Sequence, residues 1–185
     1  LGRATLETLT MTGVATSISA LLGLLLGVAI VLTAPKGLLR SRAVHAVLSP
    51  IVDITRSVPF IILLVAIIPF TRWLVGTSIG TAAATVPLVV AAVPFVARLV
   101  ESALKEVDHQ VVEAVTAMGA QPWQVVLKVY LPEALPALVR AATITAISIT
   151  GYSAMAGAVG GGGLGNVAIT YGYQRFQGEM MLATV

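Results

Sequence analysis

The sequence predicts an all-α protein that crosses a membrane about five times, and three observations carry that prediction. Only 10% of the 185 residues are charged. An ordinary soluble domain carries about 25%, so this chain cannot cover a globular surface. Fully 57% of it is hydrophobic, and the mean hydropathy is +0.97. The uncharged residues also fall into long runs, and about 20 mainly apolar residues suffice for a membrane helix.

Each span follows from such a run. No charge occurs from Thr8 to Pro35, which supplies span one. The stretch Ser57 to Thr71 supplies span two, with Pro59 and Pro69 inside it, and it reaches full length by borrowing turns on either side. Trp73 to Ala97 is charge-free around Pro87 and Pro94 and supplies span three. Ala141 to Gln174 supplies span four and a glycine-rich tail. A fifth span is expected to start near Phe176 and to be cut off, because the chain stops as the apolar run Met180 to Val185 begins. Prolines within spans are tolerated where neighbouring helices or a cavity satisfy the freed carbonyls. Their number here suggests kinked helices around a pathway. The whole chain, 1–185, is expected to form one transmembrane domain.

Charge sets the orientation. Lys36, Arg40 and Arg42 follow span one, and Arg98, Lys105, Lys128 and Arg140 lie between spans three and four. The opposite side holds Arg3, Arg72 and Arg175. Basic residues concentrate on cytoplasmic loops, so the N-terminus is expected outside.

Several chemistries are excluded or disfavoured. With no cysteine there is no disulfide, thiolate metal site or cysteine nucleophile. Two separate histidines, His45 and His109, make a histidine metal site unexpected, and no metal ligand set is assigned. The net charge of +3 is too diffuse for a nucleic-acid partner. No catalytic constellation is found. Gly160, Gly162 and Gly165 fit G-x-G-x-x-G, but no soluble strand precedes them and no acid follows in a βαβ unit, so a dinucleotide site is rejected. These glycines instead permit bending or close packing, or serve as a gate hinge. Gly23 and Gly27 form a G-x-x-x-G suited to close helix contact within the subunit. Asp53 and Arg56, three residues apart, are expected to pair at the entry to span two.

The only long polar loop is 101–133 and its surroundings. Leu104, Val107, Val111, Val115 and Met118 recur at helical spacing and predict one apolar stripe. Gly119 suits a helix stop, since glycine enters the left-handed region freely. Pro122 suits the first position of a second helix, which Pro132 is expected to disturb or end. The pattern alone fits either an interfacial connector or a docking surface. His109 and Trp123 belong to that surface or to the membrane interface.

Here the residues themselves become specific. Glu113-Ala114-Val115, Gly119 six positions after the glutamate, and Val129-Tyr130-Leu131-Pro132 resemble the EAA motif of ABC importer permeases. Val115 replaces the second alanine and Val129 the usual isoleucine. The similarity continues through Arg56-Ser57-Val58-Pro59-Phe60, Ile68-Pro69-Phe70-Thr71-Arg72 and Gly151-Tyr152-Ser153-Ala154-Met155. Over roughly Glu7 to Tyr173 the chain resembles the permeases of methionine-uptake ABC importers of the MetI type.

That resemblance implies a type I ABC importer permease fold in a bacterial inner or plasma membrane. It implies a homodimer bound to two cytoplasmic ATPase subunits and an extracytoplasmic methionine-binding protein. It implies an ATP-driven, alternating-access path for methionine. Glu113, Ala114, Val115, Gly119, Leu131 and Pro132 would then couple the chain to the ATPase. There is no Walker A sequence, so the chain is not expected to be an enzyme, and ATP and magnesium belong to the partner. Tyr152, Ser153 and Met155 are candidate pathway residues as well as ordinary packing residues, with Met155 narrowing the pore. The alternatives are a permease for another small amino acid and a secondary transporter. The charge-free runs disfavour the latter, which would carry ionisable groups in mid-span. A channel or purely structural subunit would not need the coupling loop.

Overall fold

The computed structural model describes residues 1–184, and its regular structure is entirely helical. Helix α1 is Gly2–Thr33, α2 Arg42–Ser57, α3 Phe60–Ala66, α4 Ile68–Val75 and α5 Thr81–Lys105. Helix α6 is His109–Ala117 and α7 is Pro122–Val125, which runs on through a wide-turn segment, Val126–Tyr130, into α8, Leu131–Ala156. After a kink at Gly157–Gly161 come α9, Gly163–Val167, and α10, Gly178–Thr184. Three helical stretches are long and apolar enough to cross a membrane: Gly2–Thr33, Thr81–Lys105 and Pro122–Gly161. A fourth crossing results if α2 and α3 serve as one broken span.

The span boundaries differ from those read off the charge-free runs. Span two is interrupted after Ser57, because Pro59 lacks an N–H and holds Val58 away from helical geometry. Span three starts at Thr81 rather than Trp73 and continues past Ala97 to Lys105. The left-handed Gly76 caps α4, and Gly80 also has a positive φ. Span four starts well before Ala141, and Pro132 does not end it. A proline inside a helix leaves a carbonyl without its donor. Here the turn just upstream is wider than α-helical, with Leu131 N–H donating to the carbonyl of Val126, so Pro132 is carried without a break.

Two compact units result. The first comprises 1–19, 58–92 and 145–184, and the second comprises 20–57 and 93–144. In the first, Met11, Ala15, Leu88, Ile149 and Ala156 are buried together, with Tyr152 against them. In the second, Val31, Val96, Val100 and Leu104 pack together, and Ile30 packs with Val52 and Ala97. Lipid tails are as apolar as these side chains, so close van der Waals fit rather than water exclusion holds such helices together. The glycines of α1 show this. A Cβ on Gly23 would lie 2.5 Å from Cβ of Val96, and one on Gly27 would lie 2.7 Å from the Ala97 carbonyl oxygen. The G-x-x-x-G of span one is therefore an intrasubunit contact with α5.

Candidate functional site

The expected docking surface is a helix-turn-helix in the second unit. Helix α6 starts where Asp108 caps it, its carboxylate accepting from the N–H of Gln110 at 2.8 Å. Helix α6 ends where Gly119 adopts φ +88°. Pro122 opens α7, and the Gln124 side chain accepts from the Gln121 N–H at 2.8 Å. The two helices are pinned by a buried cluster of Val112, Val125 and Val129, flanked by Val115 and Tyr130.

The predicted apolar stripe is only partly realised. Leu104 is buried, but Val111 and Met118 are exposed, Met118 at 77%. The chain leaves helical geometry between Lys105 and His109, which resets the phase. Val112 therefore points inward where a continuous helix would have placed Val111.

This packing turns one face outward. Glu113 and Ala114 are exposed, as is Gly119, around which a Cβ would meet nothing within 4 Å. His109 Nδ1 lies 3.2 Å from Glu113 Oε1, one turn apart. Trp123 is also exposed and donates to Gln121 Oε1 at 2.7 Å. Val115 is half-buried against the valine cluster, and Leu131 is half-buried against the second unit's core, beside the exposed Pro132. The six motif residues thus divide into an outward set, Glu113, Ala114, Gly119 and Pro132, and a supporting pair.

The three pathway candidates separate similarly. Tyr152 stacks on Phe60, ring centroids 4.8 Å apart. Ser153 is buried, and its hydroxyl donates to the Thr150 carbonyl at 2.7 Å. Met155 alone is well exposed, at 48%.

Two polar clusters escaped the sequence reading. In the second unit Asp53 pairs with Arg98, not with Arg56. Arg98 donates to both Asp53 oxygens at 3.0 and 2.7 Å, and to the carbonyl and hydroxyl of Ser49 at 2.8 and 2.6 Å. Its remaining terminal nitrogen pairs with Glu101, which also accepts from Lys105 at 2.7 Å. Arg98 and Glu101 are 16% and 6% exposed at their side chains. A planar guanidinium with a fixed fork of donors suits such a junction. Arg56 sits instead over the Phe95 ring, 5.9 Å from its centroid. The i+3 and i+4 spacing of Arg98, Glu101 and Lys105 was a readable signal. The 45-residue separation of Asp53 and Arg98 was not.

In the first unit, Glu7 accepts from the N–H of Gly163 at 3.0 Å, and Thr8 Oγ1 accepts from that of Leu164 at 2.9 Å. These residues stand 156 positions apart. They cap α9 just after the kink, where Gly160, Gly162 and Gly163 all have positive φ. A Cβ on Gly165 would lie 2.5 Å from the Ala154 carbonyl oxygen. The glycine run thus combines bending with close packing. Among the described residues, no three metal-ligating acids or histidines gather.

With this geometry, likeness to known proteins is informative. A family model described as the binding-protein-dependent transport system inner membrane component matches residues 19–185. The chain is 52% identical over 182 residues to a probable D-methionine transport system permease protein MetI of Vibrio cholerae, covering 98% of this chain and 81% of that protein. It is 55% identical over 151 residues to the D-methionine transport system permease protein MetI of Escherichia coli K12, covering 82% and 70%. A solved chain of the MetNI methionine ABC transporter, in an inward facing conformation, matches with a TM-score of 0.97 at 52% identity, covering all of this chain and 85% of that one. An amino acid ABC transporter solved with histidines matches at a TM-score of 0.77 and 20% identity, a likeness of fold alone.

Proposed function

The chain belongs to the family of binding-protein-dependent transport system inner membrane components, and from that premise we propose that it is the membrane-spanning subunit of an ATP-driven methionine importer. The carrying observation is the more than 50% identity, over nearly the whole chain, to permeases named for D-methionine transport. A permease is a transport component and not an enzyme. Its long apolar helices and its inner-membrane family make the chain a multi-pass membrane protein, and we assign it to a bacterial inner membrane.

The finer assignments are ours. Two copies of the chain form the pathway, with a methionine-binding protein outside and two ATPase subunits inside. ATP and magnesium are bound by the ATPase. The exposed face of α6 and its turn, with Glu113, Ala114 and Gly119, seats on the ATPase, while Val115 and Leu131 hold that face and Pro132 borders it. Support comes from the motif spacing and from the packing, which turns the charge and the small residues outward while the valines face inward. Concentration of basic residues in the second unit favours a cytoplasmic position for this surface. Among Tyr152, Ser153 and Met155, the exposed Met155 is best suited to meet the pathway. Its flexible thioether adapts to irregular shapes.

The test uses the full transporter with its ATPase and binding protein in proteoliposomes. ATP-dependent uptake of labelled methionine that requires the binding protein is expected. Methionine-insensitive ATP hydrolysis without uptake would overturn the substrate. Uptake independent of ATP would overturn the mechanism in favour of a secondary transporter.

A further inference from the structure

The turn joining α1 to α2 has a composition that its role as a connector does not require. Lys36, Arg40 and Arg42 are all exposed there, and among the described residues none has an ion-pair partner. The basic residues of the opposite set are each engaged: Arg3 with Glu7, Arg72 with the Ser78 hydroxyl, and Arg175 over the Tyr171 ring. No acid occurs anywhere between Glu7 and Asp53, and Asp53 is held by Arg98.

The turn is also a built structure. Gly37 N–H donates to the Ala34 carbonyl at 2.8 Å, Leu39 N–H to that of Leu32 at 2.9 Å, and Ser41 N–H to that of Thr33 at 3.2 Å. A Cβ on Gly37 would collide with the carbonyls of Val31 and Leu32. The backbone thus folds back on the end of α1 and holds the three cations outward.

Directly beyond the turn, α2 carries two apolar faces. Leu48 and Val52 pack on Ile30 and Ala97. Val44, Val47, Ile51 and Ile54 recur three and four residues apart, and all are exposed. At 1.5 Å per residue this second stripe is about 15 Å long, the depth of one leaflet of a ~30 Å hydrocarbon core.

We propose that this turn and stripe form a binding site for an anionic phospholipid, its phosphate among Lys36, Arg40 and Arg42 and an acyl chain along Val44, Val47, Ile51 and Ile54. Clustered cations beside a membrane helix attract anionic headgroups. Charge decides against a second copy of the chain at this end. A two-fold interface must be complementary to itself, and this end of the patch brings three cations from each copy together with no acid between Glu7 and Asp53 to pair with them. The proposal does not depend on what is transported, and a failed uptake assay would leave it standing.

The test titrates the delipidated, detergent-purified transporter complex with phosphatidylglycerol or phosphatidylcholine and counts bound lipid by native mass spectrometry. Phosphatidylglycerol should be retained preferentially. The combined variant Lys36→Gln, Arg40→Gln, Arg42→Gln should weaken it on the order of a hundredfold, given roughly 1 kcal/mol per cation near a membrane surface and tenfold per 1.4 kcal/mol. Arg3→Gln, Arg72→Gln, Arg175→Gln should leave the preference intact. Equal effects of the two triple variants would overturn the site, as would equal retention of the two lipids. Displacement of the lipid by glycerol phosphate at equal concentration would make it a free-phosphate site instead. A shift in oligomer mass with no change in lipid would assign the face to a second copy. Val47→Ser with Ile51→Ser keeps every charge and should still lower phosphatidylglycerol retention. This variant decides the matter if the charge variant fails to assemble, and unchanged retention in it would remove the acyl half of the site.

Discussion

Gly119 offers the sharpest test of the docking surface, because its backbone and its surroundings make different demands. Its φ is +88°, and a Cβ there would touch nothing within the chain. Substitution therefore costs conformational strain and no internal clash. For a residue with a Cβ, the left-handed region costs about 1–2 kcal/mol, and asparagine tolerates it better than most. The turn is anchored by hydrogen bonds from Gly119 N–H to the Thr116 carbonyl at 2.9 Å and from Ala120 N–H to that of Val115 at 3.3 Å, and by the buried valines on either side. If docking requires this turn, Gly119→Ala should weaken ATPase affinity by about five- to thirtyfold, the range that 1–2 kcal/mol commands. Gly119→Asn should stay within about threefold of the parent, although its side chain is larger than that of alanine. The assay is binding of the purified ATPase to the permease in detergent, with hydrogen exchange at Ala120 as an independent reading of the turn. Asparagine weakening docking more than alanine would refute the conformational reasoning, since the bulk of the side chain would then decide. Undiminished docking in both variants would remove Gly119 from the interface.

Three further predictions follow from the packing. Arg98→Ala leaves the nearly buried Glu101 with Lys105 as its one ion-pair partner among the described residues, and should cost about 3 kcal/mol of stability. Asp53→Asn, at a carboxylate 59% exposed, should cost at most about 1 kcal/mol; thermal unfolding in detergent ranks the two, and the reverse order would refute the assigned junction. Gly27→Ala drives a methyl against the Ala97 carbonyl and the Val100 side chain, and should destabilise by about 1–3 kcal/mol, whereas Gly13→Ala, with open space around it, should not. Equal thermal midpoints for these two variants would contradict the close helix contact. Met155→Ala should loosen control of the pathway, seen as substrate leak or as ATP hydrolysis without uptake in proteoliposomes. Unchanged leak and coupling would exclude Met155 from the gate.

What was legible in the sequence was mostly local. Composition and charge-free runs determined a helical membrane protein, since the bilayer demands long apolar segments whatever the fold. The glycine at 119 and the proline at 122 marked the turn between α6 and α7, because each acts on its own backbone. The motif residues around Glu113 were legible through their resemblance, in identity and spacing, to the EAA motif of ABC importer permeases. Helix ends within the apolar runs were not legible, because a run without charge does not say where a helix stops. Pro59 stands at the break in span two, whereas Pro50, Pro87, Pro94, Pro132 and Pro136 all lie in helix that runs on past them, so a proline by itself does not mark a helix end.

Tertiary structure decided the rest. It chose Arg98 rather than Arg56 as the partner of Asp53, and it tied Glu7 and Thr8 to a helix start 156 residues away. It turned Val112 inward in place of Val111 once the helix was interrupted at residues 106–108. It also left Lys36, Arg40 and Arg42 exposed, with no ion-pair partner among the described residues, beside an exposed apolar stripe. Sequence patterns register forces acting within a few residues of one another. Ion pairs, caps and exposed faces depend on which distant segments meet, and close packing in three dimensions determines that.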